Sequence, residues 1–382
     1  MKFIHTADWH LGKNLKGAPL IDEQAYILNG DFMKIVDDEK PDAIIIAGDV
    51  YDRGMPPVDA VDLLDEIISK LNEKKIPIMC ISGNHDSPSR LNFANKLLSK
   101  AEFFITTKPD AEPATIILQD NFGEVYFSLI PFFEPVDLRG NVLPEDSEEK
   151  FTADDVNKIY VAQARKKIPE GKRSVAVAHL FVTGSTTSDS ERKFVGTVEN
   201  VDKKNFAAYN YTALGHLHRP QTVHDDNKNF IRYSGSIYKY SFGEINQNKG
   251  VSVVEIDGEG KISMQHIPLK PRHDLKIVKG TVAELCRLPR TEDFVHAFIT
   301  DNQTILSAAD RLRESSCPNL LSLEFPNAVN NGEDFSDKLN VRQGVTPLEH
   351  FADFYEYITK EDLPDNYRSA MEKLIWRLEK NF

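Results

Sequence analysis

The sequence predicts an α/β protein built around buried, mostly parallel strands. Short apolar runs recur along the chain, and the clearest, 43–47, reads Ala-Ile-Ile-Ile-Ala without a polar interruption. Such a run is typical of a parallel strand covered on both faces. Segments of helical periodicity separate the first runs, with one face formed by Leu28, Phe32, Ile35 and Val36 and another by Val61, Leu64, Ile68 and Leu71. Strands that alternate with helices indicate a layered α/β core.

Polar residues suited to metal binding follow each of the predicted strands. The strands and the residues at their ends are 3–7 with Asp8 and His10, 43–47 with Asp49, 76–81 with Asn84 and His85, 175–178 with His179, and 211–214 with His216 and His218. In open α/β sheets, ligands bind beyond the carboxyl ends of the strands. We therefore expect these side chains to converge at one edge.

The composition of this set favours a pair of divalent cations that act on a phosphate ester. Two cations roughly 3.5–4 Å apart can activate water and stabilise both the attacking and the leaving oxygen. A carboxylate between them supplies negative charge and two acceptor oxygens, while imidazole and amide groups complete the coordination. Asp49, at the end of the most apolar strand, is the predicted bridging ligand.

Each residue alone has a simpler interpretation. An Asp after Gly, as in Gly48-Asp49, is usually a turn residue or a helix cap. A histidine in an apolar strand, such as His179, is ordinarily a hydrogen-bonded core residue. The ordered coincidence of five motifs, each following a strand, favours the metal site over these separate explanations.

The motifs D-x-H, G-D, G-N-H-D, H and G-H-x-H, in this order, resemble those of the calcineurin-like metallophosphoesterases. Within that superfamily, residues 5–12 and 83–87 and the total length are similar to the bacterial SbcD family of nuclease subunits. The resemblance spans the whole chain and is closest over residues 1–240. It implies a four-layer α-β-β-α sandwich with a small α+β capping domain and C-terminal helices.

The resemblance also implies roles for the motif residues. One ion would be bound by Asp8, His10, Asp49 and His218, and the other by Asp49, Asn84, His179 and His216. Both ions are expected to be Mn²⁺, with iron, zinc or cobalt as alternatives. His85 would orient the phosphate or protonate the leaving oxygen, and Asp86 would fix the His85 ring as a hydrogen-bond acceptor.

Composition sets outer limits on compartment and partners. The 382 residues include three cysteines, Cys80, Cys286 and Cys317, without C-x-x-C spacing, so neither a disulfide framework nor a thiolate zinc site is expected. Neither a secretion signal nor an apolar run of bilayer length is recognisable, which favours a cytoplasmic protein without a membrane partner. The motif Gly-x-x-x-x-Gly-Lys is absent, so ATP hydrolysis would reside in another chain.

The net charge of −13 argues against strong DNA binding by this chain alone, because phosphate contacts normally require a cationic surface. Basic residues nevertheless follow the motifs and are the predicted DNA contacts: Lys13, Lys16, Arg53, Arg90, Arg192, Lys193 and Arg219. Each alone could equally be a solvated loop charge. We expect affinity for DNA to depend on dimerisation or on a partner.

Three regions are predicted: a dimetal phosphoesterase domain over 1–271, the capping domain over 272–340 and a helical partner-binding segment over 341–382. The segment 327–344 is typical of a linker. In the last region one helical face carries Leu348, Phe351, Tyr355 and Ile358, and a second carries Tyr367, Met371, Leu374 and Leu378. These faces either pack on the chain's own core or, as the resemblance implies, bind an SMC-like ATPase of the SbcC type.

The predicted function is an Mn²⁺-dependent DNA nuclease, acting as an exonuclease on double strands and as an endonuclease on single strands and hairpins. It would work in double-strand break repair as a homodimer within a heterotetramer that includes the ATPase. One alternative is a phosphatase or cyclic-nucleotide phosphodiesterase, since Asp52-Arg53-Gly54 echoes the phosphatase form of the second motif. Another is a protein that tethers DNA ends without catalysis.

Overall fold

The computed structural model describes residues 1–140, 142–143, 151–187, 200–225, 229–303, 305–326, 346, 348–349, 351–352, 355–356 and 362–379. Clustering of contacts divides the chain into two compact units. The first comprises 1–301 and 305–326, and the second comprises 302–304 and 327–382.

The described strands, in chain order, are β1 (Lys2–Thr6), β2 (Asn14–Leu15), β3 (Ala18–Pro19), β4 (Ala43–Ala47), β5 (Ile78–Ile81), β6 (Phe103–Thr106), β7 (Ala114–Asp120), β8 (Gly123–Ile130), β9 (Arg173–His179), β10 (Tyr211–Gly215), β11 (Gln221–Asp225), β12 (Phe230–Tyr233), β13 (Gly250–Ile256), β14 (Ile262–Pro268), β15 (Leu275–Gly280), β16 (Phe294–Ile299) and β17 (Leu320–Glu324).

The described helices are α1 (Ile21–Ile27), α2 (Met33–Glu39), α3 (Val58–Glu73), α4 (Pro88–Leu91), α5 (Asn95–Leu98), α6 (Ala153–Lys166), α7 (Val282–Leu285), α8 (Ala308–Glu314) and α9 (Asp365–Glu379). A π-helical turn, Leu28–Phe32, joins α1 to α2. Short 3₁₀ turns lie at Ser99–Ala101, Pro135–Leu138, Lys203–Phe206 and Phe242–Glu244.

Two six-stranded sheets form the body of the first unit. The first sheet has the order β14-β13-β1-β4-β5-β6, and the second has the order β11-β12-β10-β9-β8-β7. The strands β1, β4, β5 and β6 run parallel to one another, as do β8, β9, β10 and β12. The carboxyl ends of each parallel set therefore lie at one edge of its sheet.

The sheets pack face to face through an apolar core that includes Phe3, Ile45, Phe127 and Val177. Helices cover the outer face of each sheet. A second apolar cluster joins the first sheet to α1, α2 and α3, and a third joins the second sheet to α6. This arrangement confirms the predicted α-β-β-α sandwich.

The apolar face of α3 agrees with the predicted one at Leu64, Ile68 and Leu71 but not at Val61. Its buried residues are Ala60, Leu63, Leu64, Ile67 and Leu71, whereas Val61 is exposed. The sequence allows both stripes, because each repeats every three or four residues. The two stripes share Leu64 and Leu71, and the buried one includes Ala60, Leu63 and Ile67 in place of Val61.

A separate three-stranded parallel sheet, β15-β16-β17, follows the sandwich. The helices α7 and α8 connect its strands and share an apolar cluster with them, which includes Val295, Ala297, Leu312 and Leu320. This sheet and its two helices lie within the region, 272–340, where the small α+β capping domain is predicted. The boundaries proposed at 271 and 340, and the capping role, stay predictions.

The second unit includes α9, which begins directly after Pro364 as predicted. Tyr367 and Leu374 on this helix are each 53% exposed. The Tyr355 ring lies 5.9 Å from the ring of Tyr367, centroid to centroid. The predicted linker over 327–344, Ile358 and the Leu378 side chain lie outside what the structure describes. No helix among the described residues is long and apolar enough to cross a membrane.

Candidate metal centre

The seven predicted ligands lie together at the edge where the two sheets meet. They follow or end β1, β4, β5, β9 and β10, and they are Asp8, His10, Asp49, Asn84, His179, His216 and His218. Ligand atoms of Asp8, His10 and His218 lie within 4.8 Å of one another, and so do those of Asp8, Asp49 and His179. The structure therefore brings the predicted set into one cluster.

The loops after β1 and β4 run side by side. The Asp8 N–H donates to the Gly48 carbonyl oxygen, and the His10 N–H donates to that of Asp49, each over 3.0 Å. Asp8, His10, Asp49 and His216 all have left-handed backbones, with φ of 53°, 45°, 50° and 98°. This conformation costs a non-glycine residue roughly 1–2 kcal/mol and persists where the surroundings enforce it. Four of the seven candidate ligands thus have a strained backbone.

Glycines permit the close approach of these loops. A Cβ atom on Gly83 would stand 2.2 Å from Asp49 Oδ1, and one on Gly48 would stand 2.3 Å from His179 Nδ1. Either contact would force the backbone apart. The glycines of the G-D and G-N-H motifs are therefore needed to place the neighbouring side chains.

The Asp49 carboxylate lies at the centre of the cluster. Its Oδ1 accepts the His85 N–H over 2.9 Å, while Oδ2 lies 3.3 Å from His179 Nε2 and 3.5 Å from His10 Nε2. Burial would raise the pKa of Asp49, but the imidazoles of His179 and His10 hold that pKa well below its usual range. One oxygen of an ionised carboxylate thus faces both groups of candidate ligands.

The hydrogen bonds of His179 direct its Nε2 atom toward the cluster. Nδ1 lies 2.9 Å from the Ala47 carbonyl oxygen and must donate to it. In the neutral ring, Nε2 is then an acceptor, yet it faces Asn84 Oδ1 at 3.0 Å and Asp49 Oδ2 at 3.3 Å. Burial lowers the pKa of His179, but the Asp49 carboxylate raises it overall to about 9. The position favours a cation, whether proton or metal.

His216 and Asn84 complete this side of the cluster. His216 Nδ1 lies 3.0 Å from Asn84 Oδ1, and the His216 N–H donates to Asp8 Oδ1 over 2.8 Å. Burial, together with the charge of His179, lowers the pKa of His216 to about 3, so the ring is neutral. Among the described residues, Asn84 Nδ2 has no hydrogen-bond partner. The amide therefore presents its oxygen, the usual metal-binding atom, to the imidazoles.

His10 and His218 form the other side. Their Nε2 atoms lie 3.0 Å apart, and His218 Nδ1 lies 3.2 Å from Glu244 Oε1. Because a carboxylate only accepts, His218 Nδ1 carries the proton and Nε2 presents a lone pair. Burial lowers the pKa of both rings. Imidazole nitrogens on both sides of Asp49, with the Asp8 carboxylate on one side and the Asn84 amide oxygen on the other, fit a site for two divalent cations.

Asp86 does not hold the His85 ring, so the predicted role is wrong. His85 Nδ1 lies 2.7 Å from the carbonyl oxygen of Asp52, to which it donates. The Asp86 carboxylate instead accepts three backbone N–H groups, from Val50, Tyr51 and Gly83. Burial and the Asp49 carboxylate raise the pKa of Asp86 to about 7 against these bonds. Asp86 fastens the loops around Asp49 to each other.

Two buried residues of the site carry no sequence motif. Gln24, on α1, donates from Nε2 to the carbonyl oxygens of Trp9 and His10 and accepts the Gly12 N–H. Glu244 binds His218, 26 residues earlier in the chain. Neither lies near a motif in sequence, and buried polar residues in a helix or a turn give no local signal of this role.

The predicted DNA contacts differ in their surroundings. Lys13 is half-buried and lies 2.6 Å from Asp52, which offsets its charge. The exposed members of the set are Lys16, Arg53, Arg90 and Arg219. Arg192 and Lys193 lie outside the described residues. The exposed cations remain available to a polyanion, whereas Lys13 is already paired.

Comparisons with known proteins identify the family of this chain. Residues 1–220 match the family model of the calcineurin-like phosphoesterases. The SbcD component of the nuclease SbcCD from Staphylococcus epidermidis is 36% identical over 98% of this chain and 98% of its own length. The protein of the same name from Staphylococcus saprophyticus is also 36% identical, over 99% of this chain and 98% of its own.

Solved structures are more distant. A dimetal phosphatase from Danio rerio is 12% identical and covers 70% of this chain and 98% of its own, with a TM-score of 0.41. A superposition at that level carries no argument of its own.

Proposed function

The chain belongs to the calcineurin-like phosphoesterases and, within them, to the SbcD family of nucleases, and on that premise we propose that it is an Mn²⁺-dependent DNA nuclease. It would hydrolyse phosphodiester bonds at double-strand ends and in hairpins, together with an SMC-like ATPase. The observation that carries the proposal is the position of Asp49 Oδ2 between His179 Nε2, at 3.3 Å, and His10 Nε2, at 3.5 Å.

Two groups of residues would hold the ions. Asp8, His10 and His218 would hold one, Asn84, His179 and His216 would hold the other, and Asp49 would be shared. When bound, the ions would supply a nucleophile at neutral pH and would stabilise charge on the phosphoryl oxygens. A mixture of imidazole, carboxylate and amide oxygen suits Mn²⁺, whereas Mg²⁺ prefers sites made of oxygen alone.

His85 would act on the substrate. Its Nδ1 donates to the Asp52 carbonyl oxygen, which leaves Nε2 as the nitrogen for the phosphate or the leaving oxygen. Its ring lies 4.7 Å from the His10 ring, centroid to centroid, so it lies beside the cluster. A protonated His85 could therefore donate a proton from Nε2 while Nδ1 keeps the ring in place.

DNA binding would depend on assembly, because the chain has a net charge of −13. We propose a homodimer. Large apolar side chains are exposed on two segments that follow the second and third motifs: Met55, Val58, Val61, Phe93 and Leu97. The chain is close together just before these two segments, since a Cβ on Gly54 would lie 3.5 Å from Ser87 Cβ. Burying such side chains against a second copy would place two sites and their exposed arginines together.

The ATPase would bind the C-terminal helices. Tyr367, Met371 and Leu374 repeat at helical spacing on α9, and both Tyr367 and Leu374 are half exposed. Deleting the residues after 344 is expected to abolish binding of a coiled-coil ATPase, measured by size-exclusion chromatography. Unchanged complex formation would contradict this part.

The decisive experiment compares substrates and one variant. With Mn²⁺, with and without the ATPase, the purified protein is expected to cut hairpin DNA in preference to a phosphomonoester. His85→Ala is expected to lower DNA cleavage about 10²–10⁴-fold while both ions stay bound, because it removes a proton donor and no ligand. His266→Ala, on the edge strand β14, is the control and is expected to retain full activity.

Each alternative predicts a different result. A phosphatase would turn over the monoester more efficiently than DNA. A tethering protein without catalysis would lose no biological function in the His85→Ala variant. Either result would refute the nuclease proposal.

A further inference from the structure

Glu244 is a fully buried carboxylate at the end of the 3₁₀ turn Phe242–Glu244. Its Oε1 lies 3.2 Å from His218 Nδ1, and its Oε2 lies 2.7 Å from Lys249 Nζ. We propose that Glu244 is a positioning residue, which fixes the tautomer and the orientation of His218 for one of the two ions. The inference rests on the proposed function in that it takes His218 as a metal ligand.

The contact with Glu244 determines which nitrogen of the His218 ring carries the proton. A neutral imidazole carries one N–H, and the carboxylate of Glu244 can only accept, so the proton must be on Nδ1. Nε2 then presents its lone pair 3.0 Å from His10 Nε2, within the cluster. An isolated imidazole could carry its proton on either nitrogen. Glu244 selects the tautomer in which Nε2 can bind a cation.

The carboxylate is itself held in place. Its Oε2 accepts from Lys249 Nζ and also accepts the Tyr240 N–H over 3.0 Å. Lys249 Nζ donates in addition to the carbonyl oxygen of His218 over 2.7 Å. The lysine therefore connects the backbone of His218 to the carboxylate that holds its ring, and the ring has little freedom to turn.

Neighbouring contacts support the turn that carries Glu244. The Phe242 ring lies 5.3 Å from the ring of His296, on β16, centroid to centroid. The Tyr238 hydroxyl donates to the His273 carbonyl oxygen over 2.7 Å. Tyr238 and Phe242 thus contact the region of the three-stranded sheet, while Glu244 contacts His218.

The same molecule contains a matched control. Glu23, on α1, is also buried, and its Oε1 lies 2.7 Å from His273 Nδ1 and 2.9 Å from Arg272 Nη2. Like Glu244, it therefore contacts an imidazole Nδ1 and a basic side chain. Its imidazole belongs to no candidate metal cluster among the described residues. Loss of either carboxylate should destabilise the fold, but only Glu244 should affect metal binding.

The test measures Mn²⁺ binding by calorimetry in the variants Glu244→Ala, Glu244→Gln and Glu23→Ala. Glu244→Ala is expected to weaken one of two binding steps by about 10–100-fold and to leave the other unchanged, because His218 serves one ion. Glu244→Gln, which keeps one acceptor oxygen, should recover part of the loss. Glu23→Ala should bind both ions as the unaltered protein does.

A second readout needs no metal. Nitrogen-15 NMR of the metal-free protein is expected to find the His218 proton on Nδ1. In Glu244→Ala, or in Glu244→Gln if the alanine variant does not fold, the population is expected to shift toward the tautomer with the proton on Nε2. Unchanged Mn²⁺ binding in Glu244→Ala, equal weakening in Glu23→Ala, or a proton on Nε2 in the unaltered protein would each overturn the inference. Failure of the proposed function is distinguishable, since that protein would bind two ions and leave DNA intact.

Discussion

The two sheets contribute different chemistry to the same edge. Every candidate oxygen ligand, Asp8, Asp49 and Asn84, follows a strand of the first sheet. The second sheet contributes imidazoles alone, from His179, His216 and His218. A set of carboxylates without imidazoles would favour Mg²⁺ or Ca²⁺, whereas the mixture favours Mn²⁺. The candidate site thus exists only where the sheets meet, and neither sheet contains it alone.

The backbones of the two sheets differ as well. In the first sheet, Asp8, His10 and Asp49 lie on left-handed loop residues that hydrogen-bond the neighbouring loop. In the second, His216 after β10 is likewise left-handed, but His179 is the last residue of the regular strand β9. Left-handed loop residues allow ligands to lie where the direction of the strand alone would not place them. A regular strand is sufficient for His179, because that strand ends at the cluster. Substitutions at each end of the sheets test this comparison.

The largest effect is expected at Asp49, where the contributions of the sheets meet. Asp49→Asn keeps the size of the side chain and removes the charge that two cations would share. Hydrolysis of a phosphodiester should fall by more than about 100-fold, the upper range for residues that only support a ligand. Bound manganese, counted by mass spectrometry of the metal, should fall below two ions per chain.

Asp42 provides the control at the opposite end of the same strand. It precedes β4, is exposed, and accepts the Lys2 N–H over 2.7 Å. Asp42→Asn should leave both activity and metal content unchanged. Equal losses of activity and of bound manganese in the two variants would contradict a role for the Asp49 carboxylate in metal binding.

A smaller loss is expected when the loops are forced apart. In Gly83→Ala the new Cβ would stand 2.2 Å from Asp49 Oδ1, so the backbone must move. A shift of about 1 Å at a reacting group can cost roughly 100-fold in rate, and overpacking costs about 1–3 kcal/mol of stability. Steady-state hydrolysis and urea unfolding measure the two effects.

Gly30 is the matched position without crowding, because nothing lies within 4 Å of a Cβ placed there. Gly30→Ala should retain full activity and gain about 0.4–1 kcal/mol of stability by restricting the unfolded chain. Full activity in Gly83→Ala would refute the claim that glycine is needed beside Asp49.

The smallest effect on activity is expected at the end of the second sheet far from the ligands. Asp120, at the end of β7, accepts two hydrogen bonds from Arg173 on β9, which holds the carboxyl pKa well below its usual range. Asp120→Asn should cost about 2 kcal/mol of stability and leave hydrolysis unchanged.

The pH dependence of this effect has a definite sign. Because the folded pKa of Asp120 is lowered, its stabilisation is present above the pKa of an unfolded carboxyl, about 4, and is lost as the pH falls further. The difference in unfolding free energy between the protein and Asp120→Asn should therefore shrink as the pH falls below about 5. A constant difference would contradict the role of the ion pair.

The sequence predicted the strands, the four-layer sandwich and the residues that cluster at its edge, because each motif is local and follows a recognisable strand. His179 is the exception, since its sequence context is that of a core histidine. It is predicted as a ligand only because the other motifs are present. The predicted face of α3 is correct for Leu64, Ile68 and Leu71 and wrong for Val61, which is exposed.

Contacts between distant residues were not accessible in this way. Asp86 holds backbone N–H groups of another loop, and Glu244 reaches His218 through a turn 26 residues later. The tertiary fold determines such contacts, and the periodicity of a single sequence does not indicate them.

The central claim is that Asp49 stands between two metal ions at the junction of the sheets. Anomalous diffraction from crystals soaked in manganese tests it most directly. Two peaks should appear, one beside His10 and His218 and one beside His179 and His216, with Asp49 contacting both. A single peak, or none at Asp49, would contradict the account.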